Sequence, residues 1–573
     1  MFRKNKKRKK KIGLSIALLF PFLGYSNDLS QNIQPTNDIL RVAVISKDNY
    51  KENKVASSEA NLEVPNEKPC VVELYDNLEF TNTQQKGFSY TPPKNCPGPW
   101  SKVILENTFA TKKGVQYDRT ASLWLDGVNL FFGTTAEVKG SKWQTQSDIT
   151  EYQNLLMKNG KGFVFLPNVL TPKRPGYPVG SSKLLFYPKT KQETVQTSIA
   201  DKVIGLGGTD NFKPGYLVNS NSSYSIKETF PRNITKAYLD VTLQSQKIDE
   251  QWFQCVPSSL AKKLGTCGNG AFREGQVYID GQLVGIVPIF PKIYTGGVDP
   301  YLWRPTPAIE TLNFDPYRVN LTPFASLLSD GESHTISIKV YNANDGFSVA
   351  GNLLLYLDKS QSVVKGAVTK NTLVDSPNVI SNENFDKNGG RFVTASTRSF
   401  TTSGYILDHN GKKITTTVKT SINFSNLQNW IVSPKKSEQF MNQYTNIENQ
   451  YIQKTANETT TRNEYISWPL SITFDNSLDS KEKNTWFNNI HQGYNKTESI
   501  NESKDPVTYT SNIARYITGM SKTEINPIKN MVIGNLSQNV TQKFDYSNSN
   551  GEHIHHTVDV VDGKVTEYKR LLN

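Results

Sequence analysis

Histidine is scarce, with six in 573 residues, and there are only four cysteines and five methionines. The chain has no His-Glu-x-x-His pair, no Walker loop, no dinucleotide-binding glycine fingerprint and no Gly-x-Ser-x-Gly elbow. Those absences remove motif-bearing zinc hydrolases, P-loop enzymes, nicotinamide enzymes and serine hydrolases, so no cofactor is expected. The run HIHH (553–556) places His553 and His555 on one strand face. With no second ligand cluster it reads as a solvated strand, and no metal is expected. What remains for catalysis is carboxylates.

A long apolar run is also missing. The stretch IGLSIALLFPFLGYS is broken by Pro21 and is short of the roughly 20 residues a membrane span needs. It follows the cationic MFRKNKKRKKK, so residues 1–26 read as a secretory signal, with an uncleaved anchor as the rival. A secreted or periplasmic location follows. The signal holds eight Lys/Arg and no acid, so the formal charge of +13 falls to +5 beyond it. No basic stripe with interleaved aromatics stands out, which argues against nucleic acid as a partner. Cys70, Cys96, Cys255 and Cys267 suit an oxidising compartment. Three connectivities are open, and sequence proximity favours Cys70–Cys96 and Cys255–Cys267.

What is present is strand grammar. The chain carries 28 Pro, 37 Gly and 11% aromatics, and short alternating runs are bounded by turn signals. Residues 27–67 lack a period and read as a flexible leader. The next 290 residues or so hold three ordered pairs of similar stretches. SKVILENTF (101–109) matches TKAYLDVTL (235–243), DRTASLWLDG (118–127) matches FREGQVYIDG (272–281), and SDITEYQNLL (147–156) matches VNLTPFASLL (319–328). Arg119 and Arg273 each precede an Asp-Gly turn by seven positions. This predicts two copies of one unit, the alternative being two unrelated sandwiches that share generic hairpin grammar. The expected fold is all-β: two side-by-side antiparallel jelly rolls at 68–215 and 216–360, then a β-rich C-terminal domain at 361–573. EYQNLLMKNG (151–160) predicts one or two helical turns.

Asp118 and Glu274 stand at nearly equivalent places in the two copies, each beside an arginine. At a junction between sandwiches two carboxyls could divide acid and base work; the alternative is that Asp118-Arg119 is a structural ion pair and Glu274 a surface acid. The loop YTGGVDPYLWRPTP (294–307) gathers Tyr294, Asp299, Tyr301, Trp303 and Arg304, residue types that stack on sugars and bind hydroxyls.

Six stretches carry a resemblance: CVVELYDNLEFTN (70–82), FSYTPPKNCPGPWSKVILE (88–106), YDRTASLWLDGVNLFFGTTAE (117–137), SSKLLFYP (181–188), GNGAFREGQVYIDGQLVG (268–285) and IYTGGVDPYLWRPTPAIETLNFD (293–315). They closely resemble the peptide-N-glycosidase A family. The resemblance implies hydrolysis of the amide joining an N-glycan to asparagine in a glycoprotein or glycopeptide, at acid pH and without metal. It implies a monomer with its site between two jelly rolls, and no stable membrane partner after signal cleavage. It assigns Asp118, Glu274 and Arg119 to catalysis. It assigns Tyr117, Asn269, Arg273, Asp299, Trp303 and Arg304 to substrate binding. Tyr117 replaces the tryptophan of the related F-type enzymes, and Asn269 occupies the place of their second carboxylate, leaving Glu274 as the nearest acid. Two alternatives stay open: a non-catalytic glycan-binding protein and a carboxylate glycoside hydrolase.

Overall fold

The computed structural model describes residues 40–572 except 46–54, 113, 115–116, 138–139, 141, 190–197, 300, 481–482, 504–508, 527 and 529–530. The expected signal, 1–26, lies outside the described residues. No helix among them is long and apolar enough to cross a membrane.

The first part of the chain forms β1 (Val42–Ile45), β2 (Cys70–Glu79), β3 (Lys86–Tyr90), β4 (Trp100–Lys112), β5 (Thr120–Leu125), β6 (Val128–Thr134), β7 (Lys142–Asp148), β8 (Gly160–Phe165) and β9 (Tyr177–Pro188). They make two sheets, ordered β1-β7-β4-β9-β2 and β3-β8-β5-β6. The second part forms β10 (Lys202–Gly205), β11 (Gly215–Asn219), β12 (Tyr224–Thr229), β13 (Ile234–Ser245), β14 (Glu274–Ile279), β15 (Gln282–Pro288), β16 (Tyr317–Asn320), β17 (Ser333–Tyr341) and β18 (Asn344–Leu357). Its sheets run β11-β18-β13-β16 and β12-β17-β14-β15, with β10 also on β18. Set aside β1 and β10, and the two connectivities are the same, strand for strand. Each is a jelly roll.

The three sequence pairs occupy equivalent places. Asp126-Gly127 and Asp280-Gly281 both turn with positive φ at both residues, the type I′ geometry that asparagine, aspartate and glycine tolerate. Each aspartate holds the strand across it in the same way: Asp126 Oδ1 accepts from Lys161 N (2.9 Å) and Asp280 Oδ1 from Thr335 N (2.7 Å). Thr150 Oγ1 accepts from Val103 N (3.0 Å), as Thr322 Oγ1 does from Ala237 N (3.2 Å). Both threonines open a single 3-10 turn, Thr150–Tyr152 and Thr322–Phe324. A second 3-10 turn, Leu155–Met157, completes the helical stretch expected near 151–160.

The rolls meet along β6 and β18. Asn129 N donates to Asn352 Oδ1 (3.0 Å) and Asn352 Nδ2 donates back to the Asn129 carbonyl (2.7 Å). Close backbone approach requires glycine there: a Cβ on Gly205 would lie 1.8 Å from the Gly127 carbonyl oxygen.

The C-terminal region forms β19 (Gly366–Asn371), β20 (Asn378–Asp386), β21 (Gly389–Leu407), β22 (Lys413–Ser433), β23 (Lys436–Lys454), β24 (Thr459–Ser480), β25 (Lys483–Glu502), β26 (Tyr509–Asn526), β27 (Met531–Asn548), β28 (His553–Val561) and β29 (Lys564–Leu572). They form one antiparallel meander in which β19 and β20 both pair with β21. Its inner face shares a core with the second roll: Met441, Ile447, Ile472 and Ile490 are fully buried in the cluster that holds Leu239, Val277 and Ile338. Along β23 buried and exposed residues alternate, so the sheet closes over the roll with one side and meets water with the other. His555 is bonded to Asp545 and Thr557, and His556 Nδ1 lies 3.0 Å from the Ser58 carbonyl.

The disulfides are Cys70–Cys96 and Cys255–Cys267, as proximity suggested. The leader expectation needs correction. Val42–Ile45 pairs antiparallel with β7, and residues 55–60 are buried. Ala56 N donates to the Pro305 carbonyl (3.1 Å) and Ser58 N to Gln542 Oε1 (2.7 Å). These bonds are long-range, so no local periodicity betrays them.

Candidate active site

Asp118 and Arg119 stand just before β5 at the junction of the rolls. The junction is tied by polar side chains. Thr120 Oγ1 donates to Gln244 Oε1 on β13 (3.0 Å), and Gln246 Nε2 donates to Thr120 Oγ1 (3.0 Å). Beyond β13 the chain makes a 3-10 turn, Lys247–Asp249, and presents Glu250. A third acid, Glu137, follows β6. Its Oε1 accepts from the Asp118 N–H (3.0 Å) and its Oε2 from Arg304 Nη2 (2.9 Å). Gly296 closes the group: a Cβ there would sit 3.0 Å from Glu137 Oε1 and 3.8 Å from Asp118 Oδ1.

The electrostatics follow from this crowding. Burial, then the charges of Glu137 and Glu250, push the Asp118 carboxyl up to about 7; Arg119 and a Gly296 N–H hydrogen bond oppose them. Burial and the Glu137 charge also raise Glu250. Glu137 is paired with Arg304, whose side chain remains partly exposed at 29%. The cleft therefore holds one carboxyl that keeps its proton near neutrality, one ion-paired carboxylate, and a third acid facing them from the second roll. Such a group can give and take protons in one reaction.

Arg119 does not bind the Asp118 carboxylate. Its Nη1 donates to the Asp118 carbonyl (3.4 Å) and its Nε to Asn168 Oδ1 (3.1 Å). The guanidinium lies 5.3 Å from the Tyr117 ring centroid, and Arg174 covers the same ring at 4.1 Å. Tyr117 is 48% exposed at the cleft mouth.

A family model described as peptide N-acetyl-β-D-glucosaminyl asparaginase amidase A matches residues 60–374, more than half of the chain. The chain belongs to this family. Over 380 residues it is 33% identical to the peptide-N4-(N-acetyl-β-glucosaminyl)asparagine amidase A of Prunus dulcis. That match spans 62% of this chain and 66% of the relative, just under two thirds of its length. The solved structure of PNGase F, a glycosylasparaginase from Flavobacterium meningosepticum, is 11% identical with a TM-score of 0.34, covering 51% of this chain and 96% of its own. A structure of PNGF-II is 14% identical with a TM-score of 0.35, covering 51% of this chain and 66% of its own.

For this member of the amidase A family, several expected site residues lie elsewhere. Glu274 is buried, and Arg398 of β21 clamps both its oxygens at 2.8 and 2.9 Å. The C-terminal sheet covers it, so the structure does not bring it to Asp118. The side chain of Arg273 is fully buried, with Nε on Asp249 Oδ1 at 2.8 Å. Asp249 also accepts from the N–H groups of Asn344 and Gly346 (2.6 and 3.0 Å), so this pair anchors the turn that presents Glu250. Asn269 is exposed with φ 74°, and its backbone bonds Ser258 and Asn342 rather than the carboxylates. Asp299 and Trp303 are 1% and 2% exposed, so neither presents a face to a sugar. From the aromatic loop the Arg304 side chain reaches Glu137 and the Gly296 N–H reaches Asp118.

Glu137 and Glu250 were missed. Glu137 closes the YDRTASLWLDGVNLFFGTTAE stretch, one hairpin after Asp118, and the pairing of β5 with β6 is the signal that brings it back. Glu250 has no such signal, because its approach depends on how the two rolls dock. A cavity of about 190 Å³ lies apart from these acids, between β13, β15 and the C-terminal sheet, lined by Lys292, Glu310, Trp468 and Arg515 among others.

Proposed function

We propose that this protein hydrolyses the amide bond between an N-linked glycan and its asparagine, at a site centred on Asp118. Family membership supports the reaction class. The observation that carries the site is the Asp118 carboxyl, held protonated up to about pH 7 between two other acids at a domain junction. In this reading Asp118 gives its proton to the amide nitrogen, while ionised Glu250 takes a proton from the attacking water. The water oxygen bonds to the carbonyl carbon, the C–N bond breaks, and the glycan leaves as a glycosylamine. Asparagine becomes aspartate, and solvent returns the proton from Glu250 to Asp118. Glu137, ion-paired with Arg304, holds the backbone of Asp118 in place. Tyr117, exposed at the mouth, offers a ring to the sugar.

The N-terminal cationic and apolar stretch and the two disulfides support export.

The test uses an N-glycopeptide in ¹⁸O-labelled water at acid pH, with the peptide followed by mass spectrometry. A peptide carrying labelled aspartate is expected from the wild type. An intact glycopeptide, or asparagine still bearing a trimmed glycan, would sink the reading.

A further inference from the structure

The C-terminal sheet reaches the active site through one buried carboxylate. Asp299 sits in the loop between β15 and β16, three residues after Gly296 and five before Arg304. Its Oδ2 accepts from Ser521 Oγ (2.7 Å) and Thr523 Oγ1 (3.1 Å) on β26, and from Asn488 Nδ2 (3.2 Å) on β25. Its Oδ1 accepts from Tyr301 N (2.9 Å). The loop is knitted around this point. Asp299 N donates to the Gly297 carbonyl (2.7 Å), and Trp303 Nε1 donates to the same oxygen (2.8 Å). A second tie follows: Gln538 on β27 donates to the carbonyls of Leu302 (3.2 Å) and Arg304 (3.0 Å).

We propose that Ser521, Thr523 and Asn488 are positioning residues for the Asp118 site, acting through Asp299 on the loop that carries Gly296 and Arg304. This rests on the reading of Asp118 as the reacting acid. The physical case is that a buried carboxylate must be fully hydrogen-bonded, and here, among the described residues, every donor from outside the loop comes from the sheet. Removing two hydroxyls leaves Asp299 under-satisfied, and the loop gives way to recover water. Two contacts at the reacting group depend on that loop: the Gly296 N–H on Asp118 and the Arg304 guanidinium on Glu137. A role as bulk scaffold would not select these residues. Other sheet amides bind carbonyls away from the acids, such as Asn426 Nδ2 to Phe253 O (2.9 Å) and Gln492 Nε2 to Pro291 O (2.8 Å).

The test is the pH profile of kcat/KM on an N-glycopeptide, for the full chain and for Ser521→Ala/Thr523→Val. Asp118 faces Glu137, Glu250, Arg119 and Tyr294. Losing the Gly296 N–H removes a bond to the charged carboxylate, so the alkaline limb moves up, by about half a pH unit. A loss of about tenfold in kcat with little change in KM is expected alongside. Thr523→Ser keeps the hydroxyl and restores the wild-type profile. A double variant whose limb coincides with the wild type overturns the proposal. Thr523→Val alone decides the matter where the double variant does not fold. Should the wild type release no glycan, the amidase reading fails separately. The clamp is then judged by Asp118 titration in difference infrared spectra against Asp118→Asn, where an unmoved midpoint in Ser521→Ala/Thr523→Val overturns it.

Discussion

The two jelly rolls share a connectivity and part company at one strand entrance. In the first roll, Asp118-Arg119 leads into β5 and opens on the junction. In the second, Arg273-Glu274 leads into β14 with the same seven-residue spacing to its turn. There both charges are buried, one on Asp249 and the other on Arg398. The difference comes from what covers each entrance. The C-terminal sheet lies over the second roll and supplies Arg398 to Glu274, so that acid became a structural ion pair. The first roll's entrance meets the loop between β15 and β16, which supplies one N–H and a glycine's clearance, and Asp118 keeps its proton. The same backbone motif thus holds a protonated acid at the junction of the rolls and an ion-paired one where a third layer covers it.

The largest effect should separate the two acids by rate. Asp118→Asn is expected to lower kcat/KM on an N-glycopeptide by about 10³-fold in a folded enzyme. Glu274→Gln should stay within a few-fold of wild type and instead lower the melting temperature. A folded Glu274→Gln variant with no activity would break the comparison.

Next comes the buried pair. Arg398→Met leaves Glu274 uncompensated and is expected to cost about 3–5 kcal/mol in urea unfolding. The double replacement Glu274→Met/Arg398→Met should recover most of that, because two apolar side chains need no partner. If the double variant is no more stable than the single one, the pair does more than neutralise charge.

The smallest effect concerns Asp118 and stability. Its folded value is about 7, against an ordinary value of 3.8. Between those values the folded state holds a proton that the unfolded chain has released. Stability therefore falls as pH rises through that window and levels off above it. Asp118→Asn removes the penalty. The variant should be more stable than wild type by about 1–3 kcal/mol at pH 8, after allowing for partial exposure, and equal to it near pH 4. A difference that does not vary with pH would show that Asp118 is an ordinary surface acid.

Much of this protein was written locally. Alternation and turn residues mark the strands, and Asp126-Gly127 and Asp280-Gly281 specify their hairpins through backbone conformations open to few residue types. The bond that a backbone N–H makes to Thr150 and to Thr322 recurs because each side chain holds a backbone group in its own roll. The two disulfides close short loops, and Asp118, the proposed reacting acid, was legible from its motif. Tertiary structure alone decided which acids join it. Glu250 and Glu274 are both carboxylates in the second roll, and nothing in their neighbouring residues says which one reaches the junction. Docking of the rolls brings Glu250 to Asp118, and the C-terminal sheet takes Glu274 away. Desolvation and charge are sums over every neighbour in space, so the protonation of Asp118 belongs to the assembled molecule and not to the stretch YDRTASLWL.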